Sequence, residues 1–150
     1  MAKTLGYMIT WTTYGTWLQG DERGYVEDGQ IFPPNQPLED SNKQNLSKEP
    51  VTLTKTHRQN VQDAIVEKAK QLNQKIYALS VSSNHVHIVV GCVPMPIGLV
   101  VRHYKGSAQA ALRKVGVAGR IWTKGFDKRY CFDQQTLQNR INYVKSHDNG

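Results

Sequence analysis

The sequence predicts an α+β fold: a ferredoxin-like or RRM-like β-α-β-β-α-β antiparallel sheet with helices on one face, extended by a C-terminal helix. Three features predict it. Residues 5–17 are rich in Tyr, Trp, Thr and Ile with period-two alternation. Two strand-like runs, 75–81 and 85–93, stand back to back with only Ser82-Ser83-Asn84 between them. Apolar residues recur at helical spacing before and after that pair. At 150 residues the chain is long enough for one well-buried core and short for two, so 1–150 is expected to form a single domain.

The opening run suits a pleated, partly buried strand, because aromatic and β-branched side chains pack well on such a surface. From about residue 19 to 50 the composition turns to Gly, Pro, Asn, Asp, Glu and Ser, with Pro33-Pro34 and Pro37 blocking regular pairing. A surface excursion that packs only locally is expected there. Thr54 or Thr56 can then cap a helix with Val61, Ala64, Ile65 and Leu72 on its apolar side, ending near Asn73. The polar break at 82–84 joins the next two strands as a hairpin. Beyond Pro94 and Pro96, the positions Val100, Tyr104, Ala108, Ala111 and Val115 describe a second amphipathic helix ended by Gly116 and Gly119. Its outer face is read as Arg102, Lys105, Arg113 and Lys114. Part of 121–132 supplies a fourth strand, and Leu137, Ile141 and Val144 mark a third helix.

The net charge of +7 is placed unevenly. Residues 1–100 hold nine Lys and Arg against nine Asp and Glu, whereas residues 101–150 hold ten against three. A basic excess confined to one third of the chain is the footprint of a surface that meets phosphates, although a solvated basic face would look the same. Cys92 and Cys131 lack CxxC spacing and are read as core thiols; with no leader-like opening, this points to a cytoplasmic chain. The longest apolar stretch, 89–101, is broken by Pro94 and Pro96 and falls short of the roughly 20 residues that span a bilayer, so no membrane association is expected.

Chemistry enters at Asn84-His85-Val86-His87-Ile88-Val89-Val90. Side chains alternate across a strand, so His85 and His87 project from one face and Val86, Ile88 and Val90 from the other. Two imidazoles at that separation can share a divalent cation and leave other positions to oxygen donors. By itself His-x-His is as readily a pair of surface histidines, and a third element must decide. A histidine-triad hydrolase would need another His where Val89 stands. On the last helix, Tyr143 and His147 are four residues apart and share a face. At 100° per residue Tyr143 lies roughly 120° from Leu137, off the core stripe, so it is poorly placed as core filler.

With these residues in view the sequence resembles the single-tyrosine HUH transposases, including the relatives associated with repeated extragenic palindromes. The carriers of the resemblance are Thr10-Trp11-Thr12-Thr13-Tyr14-Gly15-Thr16-Trp17, the strand entry Ser83-Asn84-His85-Val86-His87, the stretch from Trp122 to Phe132, and Ile141-Asn142-Tyr143-Val144. It covers nearly the whole chain. The resemblance implies that His85 and His87 bind Mg²⁺ or Mn²⁺, that Tyr143 attacks a DNA phosphate to leave a 5′-phosphotyrosine, and that a polar residue one turn later completes the metal site. His147 holds that last position where the family usually has Gln or Asn, which biases the site toward softer metals. Asp148 is the rival ligand.

The implied substrate is single-stranded DNA with hairpin ends, acted on at the nucleoid, and family members commonly assemble as homodimers while some relatives act as monomers. Arg102, Lys105, Lys124, Lys128 and Arg129 are the candidate DNA contacts, ahead of the aromatic platforms Trp11, Trp17, Trp122, Tyr104 and Phe126, most of which are expected in the core. The alternative is a domesticated module that binds DNA or RNA hairpins without cutting. Intact His85, His87 and Tyr143 favour the enzyme. A replication initiator or relaxase with the same chemistry would need accessory domains for which this length leaves no room.

Overall fold

A computed structural model describes residues 3–15, 25–27, 30–32 and 50–147. Its elements in chain order are β1 (Gly6–Thr12), β2 (Tyr25–Glu27), β3 (Gln30–Phe32), α1 (Lys55–Leu72), β4 (Ile76–Val81), β5 (His85–Gly91), α2 (Ile97–Lys114), β6 (Asp127–Cys131) and α3 (Gln134–Ser146). Four strands form one antiparallel sheet in the order β4-β5-β1-β6, and β2 and β3 pair only with each other. The expected β-α-β-β-α-β order therefore holds.

Strand alternation divides the sheet into two unlike faces. Tyr7, Ile9 and Trp11 from β1 join Val86, Ile88 and Val90 from β5 beneath Val61, Ile65 and Ala69 of α1 and Val100, Tyr104, Ala108 and Leu112 of α2. On the opposite face Met8, Ala78, Val89 and Cys131 pack against Leu137 and Val144 of α3. The sheet is thus a shared wall between a larger core under two helices and a smaller one under the last helix. Ile88 directly follows His87 on β5 and is fully buried. Ile88→Ala is expected to cost about 2–5 kcal/mol, read as a lowered urea midpoint, because transfer energy is lost and a cavity opens in the larger core.

Local chemistry sets the helix ends. Thr54, rather than Thr56, caps α1 by accepting a hydrogen bond from the His57 amide at 3.1 Å, and Asn73 closes it in the left-handed region with φ of 56°. Asp133 caps α3 by accepting from the Thr136 amide at 2.7 Å, which holds its carboxyl below the usual range. No side chain caps α2, whose turn is entered through Pro96.

Several sequence expectations change in detail. The first strand ends at Thr12, with a single further bridge from Thr13 to Trp122, because the chain turns at Tyr14 and Gly15. Regular pairing in 121–132 is confined to Asp127–Cys131. The excursion contains the β2–β3 hairpin, and Trp17 lies outside the described residues. Val115 stands past the last turn of α2 and is half exposed, while Leu112 fills the core position. Cys92 is exposed just beyond β5 and only Cys131 is a core thiol. Lys105 is partly buried against the segment after Trp122 and does not join the outer face of α2. Among the described residues no helix is long and apolar enough to cross a membrane.

Candidate active site

The face of the sheet under α3 carries a polar row. Register places Thr12 opposite His85 and Thr10 opposite His87, while Ser80 of β4 flanks His87 on its other side and Asp127 of β6 flanks Thr10. All of these side chains share one face by the period of the strand. Thr10 Oγ1 meets His87 Nδ1 at 2.8 Å, and His85 Nδ1 meets Asn84 Oδ1 at 2.7 Å.

α3 brings the other two groups. Leu137 and Val144 anchor it to the sheet, and Ser80, fully buried, donates to the carbonyl of His147 at 3.0 Å, pinning the end of the helix over the histidine strand. His147 Nδ1 donates in turn to the Tyr143 carbonyl at 2.8 Å. The Tyr143 ring lies 5.5 Å from that of His87 and 4.4 Å from that of His147, centroid to centroid. His87 is 5.2 Å from His147 and 4.6 Å from His85. Tyr143 keeps 38% of its surface exposed and so can meet a substrate from solvent.

Burial and the neighbouring imidazoles favour the neutral ring. Desolvation, then the charges of His85 and His147, push His87 down to about 4, and desolvation followed by His147 lowers His85. In His85, His87 and His147 alike Nδ1 is the engaged nitrogen, which leaves Nε2 as the ring atom turned to other partners. That donor set fits a divalent cation of intermediate softness. Among the described residues no three such side chains stand as a closed chelate, so ring rotation would be needed to converge the nitrogens. Asp148 lies outside the described residues.

The five candidate DNA contacts fall in two places. Arg102, Lys105 and Lys124 line a groove of about 570 Å³ between α2 and residues 122–126, on the side of the sheet away from the histidines. Lys128 and Arg129 are exposed on β6 and, being adjacent, point to opposite faces, with Arg129 on the histidine face beside Asp127 at 3.2 Å. Lys105 Nζ donates to the carbonyls of Thr123 at 3.0 Å and Gly125 at 2.6 Å, and the Trp122 indole donates to the Lys105 carbonyl at 3.1 Å. Burial, then Arg120, lowers the Lys105 ammonium to about 8. The unfolded chain binds a proton there up to its ordinary 10.5, so stability should rise between about pH 8 and 10.5. In Lys105→Met that rise should vanish and stability at pH 7.5 should fall by about 1–3 kcal/mol, as two carbonyls lose their donor, measured by urea unfolding across pH.

Sequence reasoning did not single out Thr10 or Ser80. Thr10 belongs to a recognisable motif, but its role against His87 depends on strand register, which a single sequence does not show. Ser80 is one polar residue in an apolar strand. Its burial is the only signal, and that appears only with the fold.

Comparison with known proteins bears on the fold and the family. No curated protein sequence matches the chain. Among solved structures, one of a REP-associated tyrosine transposase bound to a REP hairpin is similar with a TM-score of 0.59 at 13% identity, covering 96% of this chain and 67% of that one. A candidate transposase from Deinococcus radiodurans R1 is similar with a TM-score of 0.50 at 15% identity, covering 98% of this chain and 93% of that one. At such identities these two likenesses establish the fold. The family model for IS200-like transposases matches residues 47–147, which span α1 to α3 and include both histidines of β5, Tyr143 and His147, and by that match the chain belongs to the IS200-like transposase family.

Proposed function

We propose that the chain acts as one nuclease domain, cutting and rejoining single-stranded DNA during transposition of a small mobile element. Tyr143 is the nucleophile, and His85, His87 and His147 are the residues that would hold Mg²⁺ or Mn²⁺. The observation that supports this best is the meeting of the β5 histidine pair with Tyr143 and His147 of the α3 end across one sheet face, rings 5.2–6.4 Å apart. A bound cation would supply charge neutralisation at the scissile phosphate.

In the reaction so read, the Tyr143 oxygen bonds to phosphorus, the 3′-oxygen leaves and takes up a proton, and the phenol gives one up. The product is a 5′-phosphotyrosine, and reversal by a 3′-hydroxyl rejoins DNA without ATP. Tyrosine ionises near pH 10 in its reference state, so cationic surroundings help to generate phenolate. Arg140 and Lys145 lie on the same helix as Tyr143, with Arg140 one turn away the better placed to supply them. Arg102, Lys105, Lys124, Lys128 and Arg129 are read as the strand-holding cations, with Lys105 acting through the 122–126 segment. The REP hairpin in the similar transposase structure supports a hairpin-ended DNA as partner. Homodimers would supply the two tyrosines that a full exchange requires.

The test is incubation with a labelled single-stranded hairpin oligonucleotide and Mn²⁺, followed by a denaturing gel. A protein–DNA band resistant to denaturation is expected. Binding without that band would replace this reading with a hairpin-binding module that does not cut.

A further inference from the structure

The face of β6 turned away from the histidines carries two exposed aromatic rings that the proposed chemistry leaves unused. Lys128 and Tyr130 share one side of the strand, Phe132 just past its end stacks beside Tyr130, and Lys124 and Phe126 line the groove beside α2 just before it. β6 is the edge of the sheet, and α1 and α2 leave this strip open: Tyr130 is 43% and Phe132 51% exposed. The Tyr130 and Phe132 rings lie 6.1 Å apart and tilted by 30°, and Lys128 Nζ sits 5.7 Å from the Tyr130 centroid. Tyr7 supports Tyr130 edge-on at 6.2 Å, so this ring is held rather than loose.

The geometry points to a second strand-binding surface, on the non-catalytic face of β6, where Tyr130 and Phe132 stack on unpaired bases and Lys128, Lys124 and Arg102 meet the phosphates. It rests on the DNA-acting reading above and adds to it a site and the form of nucleic acid held there. Two exposed aromatic rings on an edge strand are costly to leave in water without a partner. Their interleaving with cations is the pattern that single strands satisfy, since every base has a π-face and every linkage a charge. Alternate strand residues stand about 6.6 Å apart, comparable with the repeat of an extended single strand. The charge is complementary: of the nearby carboxylates, Asp127 faces the other way beside Arg129, and Asp133 is engaged in capping α3. Arg129 on one face and Lys128 on the other would let a strand pass from the Tyr143 side around the β6 edge into this strip.

The probe is a fluorescein-labelled single-stranded oligodeoxynucleotide of mixed sequence, about 12 nucleotides long, in the range of known single-strand site sizes. Anisotropy titrations on the full chain carrying Tyr143→Phe report binding without covalent capture. Phe132→Ala and Tyr130→Leu, both at exposed rings and chosen to keep the strand, should each weaken binding about fivefold or more, and together about 25-fold or more. Lys128→Gln should reduce the slope of log K against log salt by about one. A double variant that melts like the parent and binds within twofold of it overturns the proposal. So does a loss of dimer in sedimentation at unchanged affinity, which would make the strip a contact between two copies of the chain. Adduct formation by the Tyr143-intact chain is scored separately. Its absence alongside ring-dependent binding sinks the nuclease and keeps the strip, whereas its presence alongside ring-independent binding does the reverse.

Discussion

Tyr143→Phe is expected to abolish the denaturation-resistant protein–DNA adduct and to lower cleavage by on the order of 10⁴–10⁶-fold, as loss of a covalent nucleophile does elsewhere. The substitution removes one oxygen and no charge. The ring that remains keeps its contacts with His87 and His147, at 5.5 and 4.4 Å between centroids, and the residue is 38% exposed, so stability should change by no more than about 0.5 kcal/mol. Affinity for single-stranded DNA should stay within about twofold. Recovery of the adduct with this variant would remove Tyr143 from its proposed role. Three of the other tyrosines are poorly placed to take it over: Tyr104 is fully buried and bonded to Gln74, Tyr7 is buried and bonded to the same Gln74, and Tyr130 lies beyond the sheet from the histidines.

Much of this arrangement could be read from residue order. The three polar residues at 82–84 force a hairpin, and once β5 is a strand, His85 and His87 must share a face while Val86, Ile88 and Val90 take the other. Spacing alone likewise sets Tyr143 beside His147 on α3. Pairing across the sheet was not legible. Thr10 reaches His87 because β1 lies beside β5 in a register that the whole fold determines, and Ser80 reaches the His147 carbonyl because α3 crosses β4. Lys105 illustrates the opposite error. Helical spacing puts it near Arg102 on the wet side of α2, but the segment after Trp122 folds over it and takes its ammonium with two carbonyls. Long-range packing overrides local pattern where a flexible side chain meets irregular backbone.

His87→Ala is the variant in which chemistry and stability can be separated. His87 is 7% exposed, bonded to Thr10, and held to about 4 by burial and by its imidazole neighbours. Removing it takes one nitrogen donor from the set that would hold the cation. Mn²⁺-dependent cleavage should fall by about 100-fold or more, and the Mn²⁺ concentration giving half-maximal protection against thermal unfolding should rise by about tenfold or more. Stability tests the same residue without metal. In the folded chain this ring stays neutral down to about pH 4, whereas in the unfolded chain it takes a proton near its ordinary 6.5, so the unfolded state binds more protons between those values. Wild-type stability contributed by His87 is therefore complete above about pH 6.5 and declines by about 2–3 kcal/mol as pH falls toward 4. In His87→Ala that share of the acid decline should disappear, leaving the smaller one due to His85, which moves in the same direction. Urea unfolding at pH 7 and pH 4.5 reads the difference. Parallel slopes in the two proteins would mean that the ring takes its proton at the same pH folded and unfolded, which would remove burial as the device that keeps it neutral and ready to donate to a cation.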